Sequence, residues 1–255
     1  MKSRLHLDIL PQPDDTTCGP TCLHAIYRYY GDNISLDEVI DGVVRMEHGG
    51  TLAVFLACHA LRRGYRARIY TYNLHFFDPT WFRPEGPDIR ERLLAQLRVK
   101  RGRPCLREAT RGYLEFLRLG GELRFEDLTA GLIRRYLKRA IPILTGLSAT
   151  FLYRAPREIP EIDEDDDVGG DPSGHFVVLC GYDREQKTVL LADPYLPNPV
   201  SPIQYYEVGM SRVLCSILLG ILTHDANFLI IQPGSSGSGR PGTTHAQPDR
   251  SQRPA

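Results

Sequence analysis

No surplus of either charge marks this chain of 255 residues: 31 lysines and arginines balance 31 aspartates and glutamates. A general nucleic-acid coat needs excess positive charge to displace counterions, so no nucleic-acid partner is expected. Long apolar runs are also missing. The longest near the C-terminus, 213–222, is half of the roughly 20 residues a membrane helix requires, so membrane insertion is not expected. Residues 1–10 hold no apolar stretch ahead of a small-residue cleavage site, so no signal peptide is expected. Cysteine is sparse and scattered, at Cys18, Cys22, Cys58, Cys105, Cys180 and Cys215, which excludes a disulfide scaffold. The expected setting is reducing and cytoplasmic. No internal repeat is found.

What is present is an ordinary globular composition, 42% apolar and 24% charged. A chain of this length buries a sizeable core without disulfides or metals. Residues 19–30 read as a helix: Pro20 suits the first turn, apolar residues recur at helical spacing, and Gly31 ends the pattern. Ser35 with Glu38 forms a capping box for a second helix to Val44, and Thr51 is expected to cap a third, 52–63. Alternation over 66–72 predicts a strand. Helices are expected at 88–100, 106–119 and, capped by Thr129, to 139, followed by a buried strand at 142–147. Residues 154–174 read as a surface loop. The strongest β signal is a hairpin of 175–182 and 188–193, with a short strand at 205–208, a helix at 209–222 and a last strand at 227–231. Helices first and antiparallel strands later make an α+β layout. The expected organisation is a single domain over 1–232 with a helical insertion at about 76–140, and a disordered tail at 233–255 whose Gly, Ser, Pro, Gln and Arg cannot build a core.

The segment Gln12-Pro-Asp-Asp-Thr-Thr-Cys18-Gly-Pro-Thr-Cys22 carries candidate chemistry. Cys18 lies at the mouth of the first helix, where free N–H groups and the helix dipole favour an anion, which suits a thiolate. Gly19 permits a tight turn and leaves room for a substrate carbonyl. Gln12 supplies an amide donor for an oxyanion. The other reading is a buried structural cysteine. A nucleophilic thiol needs a base, and His175 opens an apolar strand after a glycine. Asp193 ends the partner strand, so a hairpin can bring the carboxylate beside the imidazole. His59 and His24 read as packed or solvent-facing. Cys22 reads as core. A zinc site at Cys18, Cys22 and His24 lacks a second ligand pair at finger-like spacing.

Residues 12–32, QPDDTTCGPTCLHAIYRYYGD, resemble the N-terminal signature of the C39 peptidase family of papain-like cysteine proteases. Residues 175–194, HFVVLCGYDREQKTVLLADP, resemble that family's His and Asp segment, in the family's order. The resemblance implies a papain-like fold, with N-terminal helices packed on a C-terminal antiparallel sheet. It implies Cys18 as nucleophile, His175 as general base and acid, Asp193 as orienting residue and Gln12 as oxyanion donor. Members fused to peptide-exporting transporters carry membrane segments and a P-loop, which this chain does not show, so the resemblance is to the stand-alone form. The implied activity is that of a cysteine peptidase acting on a peptide or protein, with no metal or organic cofactor. Two other functions fit the same residues: acyl transfer to an amine, and a non-catalytic binding module of the same fold.

Two charge blocks stand apart. Residues 83–139 carry fifteen Arg or Lys against eight acids. This is a solvated face or a surface receiving an acidic substrate. Residues 161–167, EIDEDDD, form a solvated loop or an acidic lip that attracts a basic peptide and favours the His175 cation. The two blocks can also pair with each other.

Overall fold

The computed structural model describes residues 2–47, 49–160, 162 and 164–234. The expected disorder of the tail therefore falls almost wholly outside the described residues. Pro233 itself ends the last strand.

The first helix, α1, spans Cys18–Tyr29 and is buried from Cys18 through Tyr27. Gly31, at φ 81°, takes the left-handed conformation that ends it. Helix α2 (Leu36–Gly42) opens with the expected capping box: Glu38 N donates to the Ser35 hydroxyl, and the Glu38 carboxylate accepts from Ser35 N. Replacing Ser35 with alanine is expected to lower unfolding free energy by about 1 kcal/mol, read as a lower urea midpoint at unchanged slope. Helix α3 (Ala53–Arg62) departs from expectation. Thr51 does not cap it, because its hydroxyl donates to Val44 O. The carboxylate of Asp225, distant in sequence, accepts the Ala53 N–H instead.

Strand β1 is Lys2–Arg4, β2 is Tyr65–Thr71, and helices α4 (Ile89–Val99) and α5 (Pro104–Arg118) follow. Strand β3 (Glu122–Arg124), helix α6 (Ala130–Leu137), strand β4 (Ile143–Ser148) and helix α7 (Ala149–Tyr153) come next. The predicted loop at 154–174 holds a small hairpin, β5 (Glu158–Ile159) with β6 (Glu164–Asp165). The chain closes with β7 (Gly174–Asp183), β8 (Thr188–Ala192), β9 (Tyr205–Gly209), α8 (Met210–Leu219) and β10 (Asn227–Pro233).

Eight strands form one sheet in the order β3-β2-β10-β4-β7-β8-β9, with β1 added to β7. The pairs are antiparallel except β2 with β3. The fold is α+β, with one refinement: β1, β2 and β3 come from the helical first half of the chain. Helices also cover both faces. On one face α1, α3, α4 and α5 pack on Leu144, Val178, Cys180, Leu229 and Ile231. On the other, α6, α7 and α8 pack on Ile143, Leu147, Val177, Leu179 and Phe228. Alternate residues of β7 thus enter opposite cores, which is why its sequence reads as an unbroken apolar run. The segment at 76–140 is part of this core: Leu93, Leu106, Ala109, Tyr113 and Phe116 are buried in the same cluster as α1.

Candidate active site

The turn before α1 is built by Asp14. Its Oδ1 accepts from the backbone and hydroxyl of Thr16, and its carbonyl accepts the Thr17 hydroxyl. The chain then enters the helix with Cys18 as its first residue, 9% exposed. Gly19 plays a different part from that expected. A Cβ there would lie 2.8 Å from Thr51 Cγ2 and 3.2 Å from the Phe176 ring, so its bareness lets α1 pack tightly on β7. Cys22, one turn on, is fully buried and donates to Phe176 O at 3.3 Å, the packing role expected of it.

His175 pairs with Leu147 across β4 and is 8% exposed. Its Nε2 meets Asp193 Oδ1 at 2.8 Å. Cys18 lines the same cleft as His175. Nε2 is committed to the carboxylate, which leaves Nδ1 for the thiol. Asp193, just past β8, is fully buried. Besides His175, Oδ1 accepts the Tyr195 N–H at 3.0 Å. Oδ2 accepts the hydroxyls of Tyr153 at 2.8 Å and Tyr206 at 2.5 Å. Neither tyrosine was legible as part of the site. Tyr153 lies on α7, which the sequence pattern did not show, and Tyr206 lies on β9, two strands beyond the His175 strand in both the chain and the sheet.

Burial alone would strip the charge from His175. The Asp193 carboxylate and Cys18 outweigh it and push the imidazolium up to about 10. Burial likewise opposes the Asp193 charge, but His175 and the hydrogen bonds hold its carboxyl below the usual range. The described residues of the acidic segment make local contacts. Within it, Asp166 Oδ1 accepts from Val168 N and Gly169 N, and Arg157 donates to Asp167 O. The basic block satisfies its acids locally, as in Arg118–Glu115 and Arg124–Glu122.

Gln12 is anchored beside the site by its backbone N–H, which donates to Pro194 O at 2.9 Å. Its side-chain Nε2 donates to Asp14 O at 3.0 Å. Of the other histidines, the two weighed in the sequence, His24 and His59, are packed. His24 is 4% exposed, and His59 Nδ1 shares a hydrogen bond with the Tyr27 hydroxyl.

Cys18 and His175 open on a cleft of about 360 Å³ between α1 and the sheet, walled also by Thr51, Gly146, Gly174 and Asp225. A buried thiol at a helix start faces an imidazole that a buried carboxylate orients. Such a set can generate a thiolate and shuttle its proton.

The α+β fold brings a helix-mouth thiol and a carboxylate-bonded imidazole to one cleft. Residues 125–210 match the model of the Peptidase_C39 like family, a span that holds His175 and Asp193. No curated protein sequence matches the chain. Among solved structures it is similar to a C39-like peptidase from Bacillus anthracis, at 14% identity over 92% of this chain and 100% of that one, with TM-score 0.45. It is similar also to xylellain, a cysteine protease from Xylella fastidiosa, at 13% identity over 91% and 85%, with TM-score 0.46. A third is a double glycine motif protease from an AMS/PCAT transporter, solved with its leader peptide, at 14% identity over 91% and 94%, with TM-score 0.43. No helix among the described residues is long and apolar enough to cross a membrane.

Proposed function

We propose that the protein hydrolyses peptide bonds with Cys18, His175 and Asp193 as its catalytic triad. One observation carries the reading: a single buried imidazole is hydrogen-bonded to Asp193 through Nε2 and shares its cleft with the helix-mouth thiol of Cys18. His175 Nδ1 takes the Cys18 proton, and the thiolate attacks the substrate carbonyl carbon. The Gln12 amide and the Cys18 backbone N–H receive the negative oxygen of the tetrahedral intermediate. The intermediate collapses to a thioester as the imidazolium donates its proton to the leaving amine. Water, deprotonated by His175, then attacks the thioester and releases the acid and the free thiol. Asp193 holds the ring in position and stabilises its cation throughout. The substrate is a peptide or protein. The setting is a reducing compartment such as the cytoplasm, in keeping with six unpaired cysteines.

The test is alkylation by iodoacetamide across pH 4 to 9, with each cysteine mapped by mass spectrometry. Burial raises the thiols of Cys22, Cys58, Cys105 and Cys180, the last three to about 12, 11 and 12. Those four are expected to stay silent, and exposed Cys215 is the internal control. Cys18 is expected to react faster than Cys215, and His175→Ala to remove that advantage. Labelling of Cys18 that matches Cys215 and ignores His175 would remove the triad.

A further inference from the structure

Asp225 lies on the wall of the cleft that holds Cys18 and His175, and it is 5% exposed. Its Oδ2 accepts the Ala53 N–H at 2.6 Å, and its Oδ1 accepts the Asn227 side-chain amide. Both partners are neutral. Among the described residues no lysine or arginine lines this cleft, and the other carboxylate on its wall is Asp15. His224 lines it too, but burial and then His75 lower its affinity for a proton, so it offers no cation.

Capping α3 does not explain an acid here. Asparagine or serine caps a helix about as well as aspartate. A buried carboxylate without a cation carries a desolvation cost that a neutral cap avoids. The backbone around it is nonetheless cut to admit it. A Cβ on Gly146 would come within 3.0 Å of the Asp225 Cγ, and one on Gly220 within 2.8 Å of its carbonyl oxygen. Burial raises the carboxyl to about 7, against the pull of its two hydrogen bonds. The group thus stands near the balance between neutral and charged forms in neutral solution. A cation brought beside it restores the charge and gains a charge-assisted hydrogen bond.

We propose that Asp225 is a specificity residue: the cleft takes peptides with a lysine or arginine near the scissile bond, its cation seated against the Asp225 carboxylate. The inference rests on the peptidase reading and names its substrate class. The probes are tetrapeptidyl chloromethyl ketones in which one lysine walks through the four positions, each matched by a norleucine counterpart. They are reacted with the full chain, the adduct at Cys18 is quantified, and each rate is divided by that reagent's rate with glutathione. At one position lysine is expected to exceed norleucine by about tenfold or more, the size of one charge-assisted hydrogen bond. Asp225→Asn is expected to bring that ratio toward one, and Asp15→Asn to leave it. Should Asp225→Asn fail to melt cooperatively, Asp225→Ser, which also caps, is read in its place. Equal rates for lysine and norleucine at every position in the wild type overturn the inference and leave the peptidase reading intact. A lysine advantage that survives both Asp225 variants, or that vanishes in Asp15→Asn, overturns it equally. If Cys18 reacts with these reagents no faster than Cys215, the peptidase reading and this inference fall together.

Discussion

Cys18→Ala is expected to abolish release of p-nitroaniline from peptide p-nitroanilides while the protein melts as a folded domain. The Cys18 side chain contributes one sulfur atom and is itself 9% exposed, so its loss leaves little void. Its loss also ends covalent catalysis altogether. Cys22→Ala is the matched contrast. That thiol is fully buried and hydrogen-bonded to Phe176 O. The expected result there is reduced stability, by about 1–2 kcal/mol, with activity retained per folded molecule. His175→Ala keeps the nucleophile but removes proton transfer, and turnover is expected to fall by about 10²–10⁴. The measurement is kcat/KM for the three variants beside their thermal melts. A Cys18→Ala protein that still turns over would remove the mechanism outright, and a Cys22→Ala protein that does not would relocate it.

Asp193→Ala should damage stability and chemistry together. It strips the partner from a buried imidazolium and from the hydroxyls of Tyr153 and Tyr206. Removing one side of a buried ion pair costs about 3–5 kcal/mol, because the remaining charge is left without compensation. Asp193→Asn keeps an oxygen for His175 Nε2, and hydroxyls can rotate to accept from its amide, so most of that stability is expected to remain. The charge is lost in both variants, which sets the pH dependence. In the wild type the imidazolium is raised to about 10 chiefly against burial, by Asp193 and Cys18. A raised value means that the cation's contribution is full below the unfolded value of about 6.5 and is lost as pH climbs through the folded one. Activity that depends on the ion pair should therefore hold through neutral pH and decline on the alkaline side. Without the carboxylate, burial acts on His175 with less opposition, so the alkaline limb moves to lower pH in both variants. An alkaline limb that does not move in Asp193→Asn would show that Asp193 does not govern the His175 charge.

Much of this site was legible along the chain because its parts are local. A thiol at a helix mouth, a histidine opening an apolar strand and an acid ending the next strand are each set by short-range rules. Hairpin pairing of β7 with β8 is local too, so Asp193 beside His175 followed from the register. The tyrosines on Asp193 did not follow. Tyr153 reaches it from α7, whose five residues carry too little periodicity to be seen, and Tyr206 from a strand whose role depends on where the sheet places it. The cap of α3 failed for the same reason. Thr51 has the right residue type in the right place, yet its hydroxyl bonds Val44 O while Asp225 arrives from more than 170 residues away. The helical segment at 76–140 reads as an insertion because it lengthens the stretch between Cys18 and His175, and in the structure its buried face joins the common core.

The sequence by itself determined most of the helices, the hairpin, and which imidazole and carboxylate that hairpin brings together, since periodicity, capping and strand alternation act over a few residues. Tertiary structure decided the rest: which hydroxyls hold Asp193, how tightly Gly19 lets α1 approach β7, and that the Asp225 carboxylate, held by two neutral donors, shares the cleft with the thiol. Those contacts join residues far apart in the chain, and their existence depends on burial and close approach that no local pattern encodes.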